Sequence, residues 1–209
     1  MNLHTWWLFA ATVFVLSGTP GPNMLHILSR SVGVGFRRSG WAMGGCLLAV
    51  IAVLVASAAG LSAVLMTSPR AFAVLRYAGV AYLLWLGIQA WRAKPPEGEG
   101  QVAAPPIGHT RLALFRGGLL IGLSNPKLLL FAAAFLPQFV DQRQLQLPQY
   151  AVLIATFAAC ELFWYMAYGL GGQRLRRSLA RPGLRRWFDR LTGAVFMGFG
   201  VLLLRFRPR

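Results

Sequence analysis

The stretches GTPGPN, at residues 18–23, and GLSNPK, at residues 122–127, place helix breakers inside long apolar runs of the chain. Their prolines Pro22 and Pro126 are 104 residues apart. A proline inside a helix removes one backbone hydrogen bond and clashes with the preceding turn. In the hydrocarbon of a membrane a freed carbonyl finds no water, so such a break must line a cavity that protein encloses. The two stretches therefore predict the same helix break made twice, with the functional site at the breaks.

The composition is that of a membrane protein. Of the 209 residues, 56% are hydrophobic and 12% are charged, whereas soluble domains are about one-quarter charged. A hydrocarbon core ~30 Å thick needs ~20 apolar residues per helix, and this length predicts six spans, near residues 5–28, 41–66, 71–91, 112–136, 149–170 and 190–205. The first span is expected to stay in place, because no signal-peptide pattern precedes it. The predicted fold class is an all-α integral membrane protein.

The formal net charge of +16 comes mostly from cations that flank the predicted spans. Most of the Lys and Arg residues fall in the connections after the first, third and fifth spans, which the positive-inside rule makes cytoplasmic. Both termini are then expected to be periplasmic, although the basic tail at Arg205, Arg207 and Arg209 disagrees with that assignment. Nucleic acid is not an expected partner, because the arginine-rich segment 174–190 lacks a recognisable binding motif.

A linker rich in Pro and Gly, at residues 94–110, divides the single membrane domain of 209 residues into two halves. Repeat 1 covers residues 1–93 and repeat 2 covers residues 111–209. Cys46 and Cys160 occupy matching places in the two halves, as Pro22 and Pro126 do. Three spans per half is an odd number, so the second repeat must be inverted relative to the first, which is the plan of many secondary transporters.

The residues at each break suit the start of a helix. Asn125 can accept from orphan amides as an N-cap, and Pro126 at the first helical position gives up a donor that would be unpaired anyway. Gly21 and Pro22 can play the same part in the first half. With both termini outside, the amino-terminal ends of the two half-helices meet near the membrane centre, where their partial positive charge suits a carboxylate. The carbonyls released on the preceding half-helices suit an ammonium.

Four motifs, taken in order, resemble the LysE/RhtB family of bacterial amino-acid exporters over essentially the whole chain. They are PGPN at residues 20–23, GVAYL at residues 79–83, NPK at residues 125–127 and FLPQF at residues 135–139. The resemblance implies a six-span translocator of the bacterial inner membrane. It also implies export of amino acids or close derivatives, such as basic amino acids, threonine, homoserine or its lactone, driven by the proton gradient. No cofactor and no metal are expected.

The candidate substrate-binding residues lie at the two breaks and in the third predicted span, and they are Pro20, Gly21, Pro22, Asn23, Tyr82, Asn125, Pro126 and Lys127. Each has a structural alternative, since such residues also kink membrane helices or pack between them. Lys127 lies deep in the fourth span, where a cation costs at least ~2.5 kcal/mol. Its expected partner is a substrate carboxylate or, in a purely structural role, Glu161 or Asp141.

Glu161 is the only carboxylate well inside a predicted span. Ionisable residues within membranes mark proton relays and substrate paths, so Glu161 is the predicted proton-coupling residue, with ammonium binding or a structural pairing as alternatives. The resemblance adds that family members often carry an acidic residue at this place, more commonly Asp. We expect Glu161 and Lys127 to lie close enough to bias each other's ionisation.

Other classes of function fit less well. An integral-membrane enzyme needs a nucleophile–base pair or a metal site, but His4, His26 and His109 have no carboxylate at ligand spacing. A channel for small solutes is the alternative to a carrier, although no ring of acidic residues or filter-like segment is present. The expected partners are an amino-acid substrate, protons and the lipid bilayer. Small-residue patches such as Gly117-Gly118 pack helices either within one chain or between the copies of a homodimer.

Overall fold

The structure, a computed structural model, describes residues 1–67 and 110–179, together with scattered positions between residues 77 and 92 and between residues 183 and 201. The described residues form helices and the turns between them, with no strand. Most of the predicted third and sixth spans, the linker up to residue 109 and Tyr82 lie outside the described residues.

The first predicted span is two helices, α1 (Leu3–Gly18) and α2 (Pro22–Val34). Asn2 begins α1 as its N-cap, because its side chain accepts a hydrogen bond from the Thr5 amide at 2.7 Å. Pro22 is the first residue of α2, where its missing N–H leaves no hydrogen bond unmade. The chain is therefore broken where the sequence predicts it, and α2 then ends at Gly35, whose φ of 84° few other residues adopt.

The fourth predicted span is also two helices, α4 (Arg111–Leu123) and α5 (Pro126–Ala134), followed by a short 3-10 helix at Leu136–Phe139. Asn125 is the N-cap of α5 and Pro126 is its first residue, as predicted. Both halves of the chain thus interrupt their first helix at the matching proline.

Two long helices, α3 (Phe36–Thr67) and α6 (Gln146–Leu179), complete the described fold. Within the described part of the chain, these two alone are long and apolar enough to cross a membrane unbroken. Their membrane-length stretches are Phe36–Gly60, with a mean hydropathy of 2.3, and Gln146–Gly172, with a mean hydropathy of 1.5. Gly172, at φ 43°, interrupts α6 at the end of that stretch.

Each broken helix packs against the long helix of the other half of the chain: α1 and α2 lie on α6, while α4 and α5 lie on α3. Glycines permit the closest approaches. A Cβ at Gly118 would meet the backbone of Ala42, and one at Gly122 would meet the side chain of Ala49. Gly118 of the Gly117-Gly118 patch therefore packs α4 against α3 within one chain.

A cluster of phenylalanines holds α5 against α1 and α6. Phe131 of α5 lies at its centre, with ring centroids 4.5 Å from Phe135, 5.1 Å from Phe157 and 6.3 Å from Phe9. All four side chains are buried, and aromatic pairs at such distances add to the stabilisation that burial gives. This cluster fixes the position of α5, and with it the second break.

Candidate functional site

The two helix breaks are in direct contact through Lys127, the second residue of α5. Its ammonium donates to the carbonyl oxygen of Leu16 at 3.0 Å and to the hydroxyl of Thr19 at 3.2 Å. Gly21 leaves room for it, because a Cβ there would lie 3.3 Å from the Lys127 Nζ. The Lys127 side chain, which starts in the first turn of α5, therefore reaches the end of α1 and the glycine that precedes α2.

The carbonyls at the carboxyl end of α1 already have donors from the protein. The Leu16 oxygen accepts from the Thr19 hydroxyl at 2.7 Å as well as from Lys127. The Gly18 oxygen accepts from the Tyr168 hydroxyl at 2.9 Å, and the Phe14 oxygen accepts from the Trp164 indole N–H at 2.8 Å. In this conformation these carbonyls, which were expected to suit an ammonium, accept from protein donors, and one of those donors is the Lys127 ammonium.

Asn125 shapes the amino-terminal end of α5. Its side-chain oxygen accepts a hydrogen bond from the Lys127 amide at 3.1 Å, and the residue is only 2% exposed. The cap satisfies one of the free amides of the half-helix. It also fixes the turn from which the Lys127 side chain reaches the first break.

Asn23, at the start of α2, is joined to Glu161 through a tyrosine that the sequence analysis did not single out. The Asn23 side-chain amide donates to the Tyr165 hydroxyl at 3.1 Å. A side-chain hydrogen bond joins Tyr165 to Glu161, one helical turn earlier on α6. Asn23 and Glu161 are 4% and 5% exposed, and Tyr165 is fully buried. The first break and the buried carboxylate are therefore linked by one chain of hydrogen bonds.

Lys127 and Glu161 lie within electrostatic range of each other, but the Lys127 ammonium bonds to α1 rather than to the carboxylate. Asp141, the other carboxylate considered as a structural partner, lies in the turn before α6 and accepts from the Arg143 amide at 3.0 Å. The cation and the buried acid thus share one site without forming a direct ion pair.

Three buried polar atoms around the first break have no hydrogen-bond partner among the residues that the structure describes. They are the Ser17 hydroxyl, the Asn23 side-chain oxygen and Nε2 of His26. A buried polar atom left unpaired costs about 1–3 kcal/mol, so such atoms mark where water or a ligand binds. Ser17 precedes the break on α1, and the other two follow it on α2.

The structure brings most of the predicted site residues together. Asn23, Lys127 and Glu161 lie in one site, with Gly21 and Asn125 beside it. Pro22 and Pro126 are exposed and act through the backbone as first residues of their helices, and Pro20 lies between α1 and α2. No group of three metal-binding side chains occurs within the described ranges.

The residues that sequence reasoning missed are Trp164, Tyr165 and Tyr168 of α6. Trp164 and Tyr168 donate to carbonyls of α1, and Tyr165 accepts from Asn23 of α2. Only the spacing of Glu161 and Tyr165 was available as a signal, since residues four apart lie on the same face of a helix. His26, which has no carboxylate at ligand spacing in the sequence, is buried, at 4% exposure.

The chain is similar to known proteins over nearly its whole length. A family model described as LysE type translocator matches residues 14–206. An uncharacterized membrane protein of Vibrio cholerae is 32% identical over 97% of this chain and 98% of its own length. A homoserine/homoserine lactone efflux protein of Salmonella typhi is 31% identical over 97% of each chain. A leucine efflux protein of an Enterobacter species is 28% identical over 94% of this chain and 93% of its own. No solved structure matches the chain.

Proposed function

Because the chain belongs to the family of LysE type translocators, we propose that it is a secondary active exporter of amino acids or close derivatives, coupled to protons. The site at the two breaks carries this proposal. A buried carboxylate, linked through Tyr165 to the start of α2, and a cation from the start of α5 lie there. An amino acid presents one ammonium and one carboxylate, so a site with both charges matches both ends of the substrate.

The carboxylate of the substrate pairs with the positive side of the site. Lys127 and the amides at the start of α5 are its partners, because a helix amino terminus carries about half a positive charge. The ammonium of the substrate pairs with Glu161, which lies within electrostatic range of Lys127. Substrate binding between the two charges thus gives each of them a partner of opposite sign.

Glu161 exchanges a proton for the substrate. The observation that supports this role is its burial at 5% exposure together with its link through Tyr165 to Asn23 at the first break. Because hydrogen bonds connect this carboxyl to the start of α2, gain or loss of its proton can change those bonds and so shift α2. Export would then follow the proton gradient across the bacterial inner membrane.

A substrate with an uncharged side chain suits this site best. The chain has five acidic residues, and Glu161 is the one that lies well inside a predicted span. A second cation on the substrate would have no carboxylate partner, and an unpaired charge in a membrane is costly. The unpartnered polar atoms of Ser17, Asn23 and His26 could hydrogen-bond to a hydroxyl on the side chain of the substrate. Relatives named for homoserine and leucine efflux agree with this class.

Six spans in two inverted repeats, residues 1–93 and 111–209, complete the proposal, with both termini periplasmic. The reciprocal packing of the halves supports the repeat: Gly18 of α1 meets Trp164 of α6, and Gly122 of α4 meets Ala49 of α3. A duplicated half with an odd number of spans would produce such an exchange of partners.

An efflux panel tests the proposed function. Cells with and without the protein are loaded with labelled amino acids, and export is compared at equal internal concentrations. We expect faster export of homoserine, threonine or leucine, and no acceleration for lysine or arginine. Substrate on the far side should accelerate exchange, which a carrier shows and a channel does not. No difference for any amino acid would reject the exporter.

The Asn125→Ala variant is expected to lose several-fold more export than membrane abundance. Loss of an N-cap costs about 1 kcal/mol, but this cap also positions the Lys127 amide at the site. Asn2→Ala is the matched control, since Asn2 caps α1 in the same way at an exposed position. Quantitative blotting of membranes and efflux rates give both values. Equal export per molecule in the two variants would make the Asn125 cap purely structural.

A further inference from the structure

We propose that the carboxyl end of α1 is an ammonium-binding site that the chain fills with its own Lys127 in this conformation, and that the ammonium of the substrate replaces Lys127 there during transport. The first part of this inference stands on geometry alone, and the second rests on the proposed function. The site consists of the Leu16 carbonyl oxygen and the Thr19 hydroxyl.

The contacts of Lys127 are those of a bound primary ammonium. Two of its N–H groups have acceptors, at 3.0 Å and 3.2 Å. Both acceptors belong to the carboxyl end of a helix, which carries about half a negative charge. Gly21 borders the ammonium, and a Cβ there would lie 3.3 Å from Nζ, a closer contact than most Cβ atoms make. The end of α1 is therefore shaped and charged for R–NH₃⁺.

The occupant of this site is tethered to the other break. Lys127 is the second residue of α5, so its ammonium connects α5 to the end of α1 across 111 residues of sequence. When another ammonium takes the acceptors, that connection between the two broken helices is lost. An ammonium at the Nζ position would also lie within electrostatic range of Glu161, as Lys127 does. A zwitterionic substrate thus inserts between α1 and Lys127, with its ammonium toward α1 and its carboxylate toward the released lysine.

Chemical rescue tests the ammonium site without any transport. Lys127→Ala removes the part of the side chain beyond Cβ, which corresponds to n-propylammonium. The purified full-length variant is titrated with n-propylammonium chloride while its thermal unfolding midpoint is measured. We expect a saturable rise of several degrees, because a ligand that binds only the folded state stabilises it. The wild-type protein, whose site is filled, should show no saturable rise.

Two controls isolate the hydrogen bonds of the ammonium. Tetramethylammonium has the same charge but no N–H group, and it should not stabilise Lys127→Ala. The double variant Lys127→Ala with Thr19→Val lacks one acceptor, and it should need a several-fold higher n-propylammonium concentration for the same rise. An equal response to both cations, or the same saturable rise in the wild type, would overturn the proposal.

The variant also gives a result if it does not accumulate in membranes. Cells are then grown with n-propylammonium, and membrane abundance replaces the unfolding midpoint as the measurement. Recovery of Lys127→Ala supports the ammonium site, and continued absence at every amine concentration counts against it. If n-propylammonium rescues Lys127→Ala but the wild type exports no amino acid, the ammonium site stands and the proposed function is rejected. If the wild type exports amino acids but the amine does not rescue the variant, the ammonium site is rejected and the proposed function stands.

Discussion

The Glu161→Gln variant is expected to lose the acceleration of export by an imposed pH gradient, while exchange of substrate at equal pH survives in part. Glutamine keeps the shape and a hydrogen-bonding oxygen for Tyr165, but it cannot take up or release a proton. Because Glu161 is buried and linked to the first break, coupling in the proposed mechanism depends on this one carboxyl. Proteoliposomes with and without a pH gradient separate the two activities.

Asp141→Asn is the matched control for that measurement. Asp141 is a carboxylate in the turn before α6, where it contacts Arg143 and Gln149 rather than the breaks. Its variant should keep the full response to the gradient. A Glu161→Gln protein that responds to the gradient as the wild type does would refute the assignment of proton coupling to Glu161.

The Gly45→Ala variant is expected to reduce the amount of folded protein in the membrane by about tenfold or more. A methyl group at Gly45 would meet the backbone of Phe115 and Leu119 on α4, so α3 and α4 would have to separate. Overpacking commonly costs about 1–3 kcal/mol, and each ~1.4 kcal/mol changes a population tenfold. Membrane abundance and the monodispersity of the purified protein measure the effect.

The adjacent Gly44→Ala variant is the control for this prediction. A methyl group at Gly44 would lie 3.8 Å from the ring of Phe115, an ordinary contact with a side chain. Gly44→Ala should accumulate like the wild type. Because both variants add one methyl group to α3, a difference in their abundance reports the contact that the methyl group makes. Comparable abundance of the two variants would show that the α3–α4 contact tolerates expansion.

The breaks could be predicted from sequence because their signals are local. Proline fixes its own backbone angle and removes its own donor, and asparagine caps the helix that begins beside it. Asn125 and Pro126 therefore act within a few residues of where they stand. The two long helices were also predictable, since their apolar length reflects the thickness of the membrane.

The partners of the site could not be predicted in the same way. Lys127 was expected to meet a carboxylate, but it bonds to a backbone carbonyl, and every residue has such a carbonyl. Trp164 and Tyr168 bond to α1 across 150 residues, and in the sequence they are aromatic residues of an apolar helix like many others. Such contacts depend on how helices rotate and approach, which a single sequence does not specify.

The hydrogen bonds from α6 to α1 have a consequence for the order of biosynthesis. The donors for the Phe14 and Gly18 carbonyls come 150 residues later in the chain. At roughly 5–20 residues per second, the ribosome needs about 8–30 s to supply them. During that delay the last turn of α1 lacks the Trp164 and Tyr168 donors for its carbonyls. Completion of the amino-terminal half therefore waits for the carboxyl-terminal half, and the two halves mature as one unit.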